Sequence, residues 1–234
     1  TYLGAVLARQ LVDAGMRVKG INLVRLNPNV THKTRGNAAV CIECEGDPGT
    51  ALSHACRLVD ELADLSCEET NPGVVVADRP LPSWFYRKAV QDFCGIDEAL
   101  TLIEEGGAFY RGYRNQRGLI GAAAAVACDF DDSTWELLAY RPPDRWGTPR
   151  QVDRQSLFVA DQETRPHTWD SVDRENDLVV CVPHTPDPVL FGIRGASPDW
   201  VTRARGYVLS ELPAFEQVFC TNQATDAHLV PGRI

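Results

Sequence analysis

The chain has 234 residues, of which 44% are hydrophobic and 24% are charged, close to the values of ordinary globular proteins. This composition excludes a wholly disordered chain, and the length allows one large domain or two small ones. The formal net charge of −9 argues against nucleic-acid binding through overall charge and leaves only a local basic groove for that purpose.

The spacing of apolar residues and the positions of Gly and Pro predict helices and strands that alternate without a strict repeat. Residues 106–118 and 141–168 are predicted as loops, and the second is long enough to indicate a functional segment. The pattern predicts an α+β (mixed α/β) fold. In chain order the elements are helix 2–14, strands 18–26 and 38–44, helix 50–65, strand 74–77, helices 82–93, 97–105 and 119–128, strands 135–140, 178–182 and 189–193, helix 198–209 and strand 216–220.

Two features of composition bear on the origin of the chain. Twenty arginines accompany only three lysines, and an acidic, Lys-poor protein is typical of a high-salt cytoplasm; GC-rich coding explains the arginines equally well. The sole methionine is Met16, and the first residues already begin a predicted helix. We therefore expect a fragment of a longer protein.

The eight cysteines lie mostly in apolar runs and are expected to be free buried thiols. Cys41 and Cys44 have the spacing of a zinc knuckle, but on a strand they point to opposite faces and no second pair follows. We expect no metal bound within this chain. No apolar run approaches the roughly 18–20 residues of a membrane span, so we expect a cytoplasmic protein without membrane contact.

A polar loop between the first two predicted strands is the first candidate site. It carries Arg25, Lys33 and Arg35, and Gly36 lets the backbone approach a ligand closely. Arginine and lysine side chains are the usual means of holding phosphate. The alternative is a hairpin without a ligand, whose charged side chains only keep it solvated.

A group of arginines and a group of carboxylates form two further candidates. Just before the start of a predicted helix lie three arginines, Arg111, Arg114 and Arg117, and a helix N-terminus favours the binding of an anion. The alternative is a helix whose small residues serve close packing, but this alternative does not explain the arginines. Residues 170–177 contain four carboxylates, which could bind a divalent ion or a cationic ligand; the alternative is a solvated acidic turn. Arg141 belongs to a third basic group, at residues 141–150, that fits an anion or the surface.

Several motifs together resemble the archaeal tRNA(isoleucine) 2-agmatinylcytidine synthetases. They follow one another along nearly the whole chain. The motifs are Thr1-Tyr2-Leu3, Leu23-Val24-Arg25-Leu26-Asn27-Pro28-Asn29, Lys33-Thr34-Arg35-Gly36-Asn37, Thr70-Asn71-Pro72-Gly73, Ile96-Asp97-Glu98-Ala99, Arg117-Gly118-Leu119-Ile120-Gly121-Ala122, Ala139-Tyr140-Arg141, Phe191-Gly192-Ile193-Arg194-Gly195, and Thr221-Asn222 with Thr225-Asp226 and His228.

The resemblance implies an enzyme that uses ATP and magnesium to attach agmatine to C2 of the wobble cytidine in the CAU anticodon of isoleucine tRNA. It implies part of a kinase-like domain at residues 1–45, which later strands could complete, and a ferredoxin-like domain with associated segments at 46–230. The family's OB-fold and zinc ribbon are not expected here. Its acidic DDTDS motif and phosphorylated Thr would precede Thr1, so the catalytic residues stay unknown and we expect the chain to be inactive by itself.

The resemblance also implies roles for individual residues. ATP and its phosphates are assigned to Arg25, Asn27, Lys33, Arg35, Gly36 and Asn37. Agmatine is assigned to Asp170, Asp173 and Asp177, and the tRNA to Arg111, Arg114, Arg117 and Arg141. A non-catalytic nucleotide- or RNA-binding module of the same family, or an enzyme for another small amine, would be the alternative.

Overall fold

The computed structural model describes residues 2–33, 37–130, 134–140, 153–169, 171–180, 189–208 and 217–222. It contains seven helices and ten strands in these ranges. In chain order they are α1 (Tyr2–Asp13), β1 (Arg17–Arg25), β2 (Ala38–Glu45), α2 (Pro48–Leu62), β3 (Gly73–Val76), α3 (Ser83–Gln91), α4 (Ile96–Glu105), β4 (Phe109–Gly112), α5 (Gly118–Val126), β5 (Thr134–Tyr140), α6 (Arg154–Thr164), β6 (Thr168–Trp169), β7 (Val172–Asp173), β8 (Leu178–Val179), β9 (Val189–Gly195), α7 (Pro198–Tyr207) and β10 (Gln217–Asn222).

The chain forms two compact units, one built mainly from residues 3–132 and one mainly from 133–222, here called the N-terminal and C-terminal units. In the N-terminal unit, β1 and β2 pair antiparallel, with Arg25 opposite Ala38 at the loop end. The strands β3 and β4 form a second antiparallel pair. Both pairs contact α5, whose small residues permit a close approach.

Helix α5 lies in the middle of the N-terminal unit's core. Its Leu119 and three alanines are almost completely buried, and they pack with Phe85 of α3 and Ile103 of α4. Helix α2 begins at a cap: the Asp47 carboxylate accepts the backbone N–H of Thr50 at 2.7 Å, and Pro48 takes a first-turn position that needs no N–H donor.

The C-terminal unit contains four antiparallel strands in the order β10-β5-β9-β6. Helices α6 and α7 pack against one another, and their apolar residues Leu157 and Val201 join Ile193 of β9 in one core. The strands β7 and β8 form a separate hairpin. Ser197 caps α7 through the backbone N–H of Trp200.

The structure confirms a mixed α+β chain. Three segments differ from the sequence-based prediction. Residues 106–118 contain strand β4, residues 141–168 contain helix α6, and the acidic segment contains strand β7. Strand β4 pairs with β3 and helix α6 packs on α7, both far along the chain, while β7 pairs with the nearby β8; these contacts stabilise elements whose own pattern is weak. Among the described residues, no helix has the length and apolar character needed to cross a membrane.

Candidate functional site

Asn27 fastens the loop after β1 to the end of helix α3. The residue is only 2% exposed, and its side-chain Nδ2 donates to the Asp92 carbonyl at 3.2 Å while its Oδ1 accepts the backbone N–H of Asn29 at 2.9 Å. Its own backbone N–H donates to the Ala89 carbonyl at 3.0 Å. The resemblance predicts that Asn27 contacts ATP, and the structure gives it a role in shaping the loop.

Asn37 closes the same loop. Its side-chain Nδ2 donates to the Asn27 carbonyl at 2.5 Å, its carbonyl accepts the Leu26 N–H at 2.8 Å, and its φ of 40° is a conformation that Asn tolerates better than most residues. Lys33 is exposed, and its ammonium group contacts the Pro28 carbonyl. Arg25 is the last residue of β1; it is half-buried, and its side chain or backbone interacts with a neighbouring residue. Arg35 and Gly36 lie outside the described residues.

The turn before β3 and the start of α5 lie backbone against backbone. A Cβ added to Gly73 would lie 2.3 Å from the carbonyl carbon of Gly118, so neither position has room for a side chain. The Pro72 carbonyl accepts the Tyr113 N–H at 3.1 Å, which ties the same turn to the segment that leads into α5. The two sequence motifs that contain these glycines are therefore one structural feature.

The three predicted tRNA-binding arginines of the N-terminal unit take three different environments. Arg111 on β4 pairs with Asp60 at 3.3 Å and lies over the ring of Tyr113. The Arg114 guanidinium donates to the Leu65 carbonyl at 2.5 Å. The arginines thus have different partners, and Arg141 lies outside the described residues.

Arg117, the third of these arginines, lies beside the first candidate site. The Glu69 carboxylate lies 3.5 Å from the Arg117 guanidinium and 3.9 Å from Nδ1 of His32. His32 belongs to the polar loop, four residues before Gly36. The polar loop and the start of α5 are therefore neighbours within the N-terminal unit. Sequence reasoning missed His32 and Glu69, because only the fold brings residues 37 positions apart into contact.

The acidic segment of the C-terminal unit is largely engaged in its own hairpin. The Asp173 carboxylate accepts the backbone N–H groups of Glu175 and Asn176 at 3.0 and 3.1 Å and the Asn176 amide at 2.7 Å. These hydrogen bonds from Asn176 hold the pKa of Asp173 below its usual value. Asp177, largely exposed, pairs with Arg154 at 2.7 Å. Asp170 lies outside the described residues.

Asp161 on α6 is the buried carboxylate of this region, and no sequence motif pointed to it. It is 1% exposed, and its Oδ2 lies 2.9 Å from Nε of Arg165 and 2.8 Å from Nε of Arg174. The Arg174 guanidinium also donates to the Phe158 carbonyl at 2.9 Å. Asp161 thereby links α6 to the hairpin that contains Asp173.

The cysteines at metal-knuckle spacing lie on β2 as free thiols. Burial, with Glu43 and Cys44 nearby, raises the pKa of Cys41 to about 12, and burial also raises the pKa of Cys44. Such thiols are poor metal ligands because the thiolate is the binding form. Within the part of the chain that the structure describes, no three His, Cys, Asp or Glu residues gather as a metal site.

Two family models match the chain: the TiaS TCKD domain at residues 1–51 and the TiaS FLD domain at residues 116–228. Similar curated proteins carry the name of the isoleucine-tRNA 2-agmatinylcytidine synthetase TiaS. The protein of Methanocorpusculum labreanum is 50% identical over 232 residues, which are 99% of this chain and 56% of that protein. The protein of Methanosarcina mazei is 47% identical over 245 residues, which cover 100% of this chain and 57% of that protein.

Solved structures of the same name also match. The crystal structure of TiaS in complex with isoleucine tRNA and ATP superposes with a TM-score of 0.83 at 43% identity and covers 98% of this chain and 56% of that one. The complex of TiaS with isoleucine tRNA, AMPCPP and agmatine gives a TM-score of 0.79 at 39% identity, with coverages of 94% and 55%. The chain therefore spans a little over half the length of the relatives it matches.

Proposed function

Because the chain belongs to the TiaS family, we propose that it contributes to an enzyme that uses ATP to attach agmatine to C2 of the wobble cytidine of isoleucine tRNA. The observation that carries this proposal is the 50% identity with the Methanocorpusculum labreanum synthetase across 99% of the chain. The arrangement of the polar loop beside Arg117 supports it, since ATP and RNA both require positive charge.

We propose that residues 1–45 belong to a kinase-like part, which segments before residue 132 complete, and that a ferredoxin-like part with associated segments lies within 46–230. The family models at 1–51 and 116–228 and the two compact units support a chain of two parts. The structure divides the chain near residue 132, so residues 46–132 pack with the first part rather than the second. This packing supports a kinase-like part that later segments complete.

In this proposal the polar loop holds the phosphates of ATP. Lys33 and Arg35 supply positive charge, Arg25 adds to it at the end of β1, and Gly36 lets the backbone come close. Asn27 and Asn37 keep the loop in shape through their backbone contacts. Positive charge around a transferred phosphoryl group stabilises the transition state in which O2 of the cytosine becomes a phosphate ester.

Agmatine carries a guanidinium group and an amine, and a carboxylate binds a guanidinium with two parallel hydrogen bonds. Asp170 and Asp177 are the proposed partners, Asp177 by exchanging Arg154 for the ligand's guanidinium. Asp173 contributes by ordering the turn between them. The attacking amine must lose a proton, which a neighbouring base would accept; as its nitrogen bonds to C2, the C2–O2 bond breaks and the phosphorylated O2 leaves as phosphate.

The tRNA is proposed to contact Arg111, Arg114 and Arg117 of the N-terminal unit, and Arg141 further along the chain. Enzymes that modify a base take it out of the stack, so the base of the wobble cytidine would swing away from the stacked bases of the anticodon loop to reach the phosphate site. Magnesium accompanies ATP in this proposal; among the described residues no three His, Cys, Asp or Glu side chains gather as a site for it, and no step here depends on it. With a tRNA substrate, the proposed location is the cytoplasm.

A chimera tests the proposal. The chain replaces the 232 matching residues of the Methanocorpusculum labreanum enzyme, and the chimera is assayed for ATP-dependent incorporation of radiolabelled agmatine into a transcript of isoleucine tRNA. We expect incorporation. A folded chimera that binds ATP and tRNA but incorporates nothing, beside an active parent enzyme, supports the non-catalytic module instead. Faster incorporation of putrescine or spermidine would identify another amine as the substrate.

A further inference from the structure

Helix α3 of the N-terminal unit is amphipathic in an unusual way. Its inner face is formed by Phe85, Tyr86, Ala89 and Val90, all buried in the core. On its outer face Trp84 is 50% exposed, and Arg87 lies three positions on, so both side chains lie on one side of the helix. The indole contacts the ring of Phe85 edge to face, with 5.6 Å between the ring centroids, and still stays half exposed next to the guanidinium.

The charges around α3 are also unusual for so acidic a protein. Arg79, just before the helix, and Arg87 have no hydrogen bond, ion pair or ring contact with any described residue. Every other arginine in the described ranges has at least one of these partners, as Arg17 has with Glu45. Lys88 on the same helix is held by Glu98 at 2.6 Å. Among the described residues, these two positive charges on one segment therefore have no compensating partner.

Exposed aromatic rings accompany these charges. Phe93, two residues after α3, is 60% exposed, so the two most exposed aromatic side chains among the described large apolar residues lie in the first turn of this helix and just after its end. Asp92 is the sole acidic residue between positions 79 and 93. Unpaired guanidinium groups with accessible aromatic rings are the combination that binds single-stranded RNA, through phosphate contacts and base stacking.

We propose that α3 is a platform for unpaired nucleotides of the RNA substrate, on which Trp84 stacks a base while Arg87 and Arg79 hold phosphates. The proposal rests on the tRNA substrate of the proposed function. Asn27 holds the C-terminal end of α3 to the loop assigned to ATP, through the Asp92 and Ala89 carbonyls. Nucleotides lying along the helix toward Phe93 thus lead directly to that loop.

Fluorescence anisotropy with a labelled CAU anticodon stem-loop and a labelled uridine oligomer tests the platform, at several salt concentrations. Trp84→Ala weakens binding of both probes about tenfold and leaves the salt dependence unchanged, because a stacking contact releases no counterions. Arg87→Gln lowers the slope of log K against log salt by about 0.7–0.9, the value for one phosphate contact. Trp84→Phe and Arg87→Lys restore most of the binding.

Arg17→Gln is the matched control, since it removes one exposed positive charge that is already paired with Glu45. It leaves affinity and slope nearly unchanged. Wild-type affinity and slope in both Trp84→Ala and Arg87→Gln would overturn the platform while leaving the proposed function intact. Absence of any RNA binding by the chain overturns it as well, and the incorporation assay then decides the proposed function independently. Self-association that Trp84→Ala abolishes, with RNA binding unchanged, would identify a protein contact instead.

Discussion

Gly73 and Gly118 face each other with no side chain between them: a Cβ on Gly118 would lie 2.3 Å from the backbone nitrogen of Gly73. This contact joins the turn before β3 to the first residue of α5, the helix at the centre of the N-terminal core. The obstacle on each side is backbone, which cannot rotate away as a flexible side chain can.

Gly118→Ala is therefore expected to destabilise the protein by about 1–3 kcal/mol, the usual cost of overpacking. The same change at Gly206, near the end of α7, meets nothing within 4 Å. Gly206→Ala should be neutral or stabilise by up to about 1 kcal/mol, because alanine favours the helix. Denaturant unfolding of both variants measures the difference, and equal effects would contradict the close contact.

Asp161→Asn should destabilise the C-terminal unit by about 1–3 kcal/mol. The change removes the negative charge from a buried carboxylate between Arg165 and Arg174, and it weakens two charge-assisted hydrogen bonds. Both arginines are partly exposed and regain water, which limits the loss. Asp177→Asn breaks the exposed pair with Arg154 and should cost under about 1 kcal/mol. Thermal unfolding followed by circular dichroism compares the two, and the prediction fails if Asp177→Asn costs as much.

The cysteines should differ sharply in reactivity. Burial raises the pKa of Cys41 and of Cys128 to about 12, so at pH 8 only about one thiol in ten thousand is the reactive thiolate. Cys67 is exposed. Alkylation with iodoacetamide at pH 8, quantified by peptide mass spectrometry, should modify Cys67 at least about tenfold faster. Raising the pH toward 10 increases the rate at Cys41, and denaturant removes the difference between the sites.

Lys33→Ala and Arg35→Ala should each weaken ATP binding about tenfold, because each removes a positive charge from the proposed phosphate site. Binding of adenosine, which has no phosphates, should stay unchanged. Lys19→Ala is the control, because the ammonium group of Lys19 on β1 already pairs with the Glu45 carboxylate on β2 at 2.6 Å. Isothermal titration calorimetry measures all three variants; unchanged ATP affinity in both site variants would exclude the loop as a phosphate site.

The sequence predicts those elements that have a clear apolar period. Helices α2 and α4 and strands β1 and β2 lie within a few residues of their expected bounds. Strand β4 was missed because its four residues, Phe109–Gly112, follow two glycines and gain their order from pairing with β3. Helix α6 was missed because its buried face mixes Leu157 and Ala160 with the polar Asp161 and Thr164. Their spacing of three and four residues was nevertheless a helical signal.

The candidate sites show the same division between local and long-range information. Clusters of like charge along the sequence identified the loop, the arginines and the acidic hairpin. The partners that decide what each side chain does come from far along the chain: Asp92 lies 65 residues from Asn27, and Asp60 lies 51 residues from Arg111. Arg174 reaches Asp161 from another element. Such pairs follow from the fold, and no short motif reports them.

The hydrogen bonds of Asn27 have a thermodynamic consequence. One buried amide joins the loop assigned to ATP and the helix assigned to RNA, so order gained in either segment on binding is shared with the other. If these two proposals hold, the two ligands are expected to bind with a coupling free energy that is reciprocal: nucleotide raises the affinity for RNA by the same factor as RNA raises the affinity for nucleotide. Replacing the Asn27 side chain is expected to weaken this coupling, while the backbone hydrogen bond from Asn27 to the Ala89 carbonyl remains.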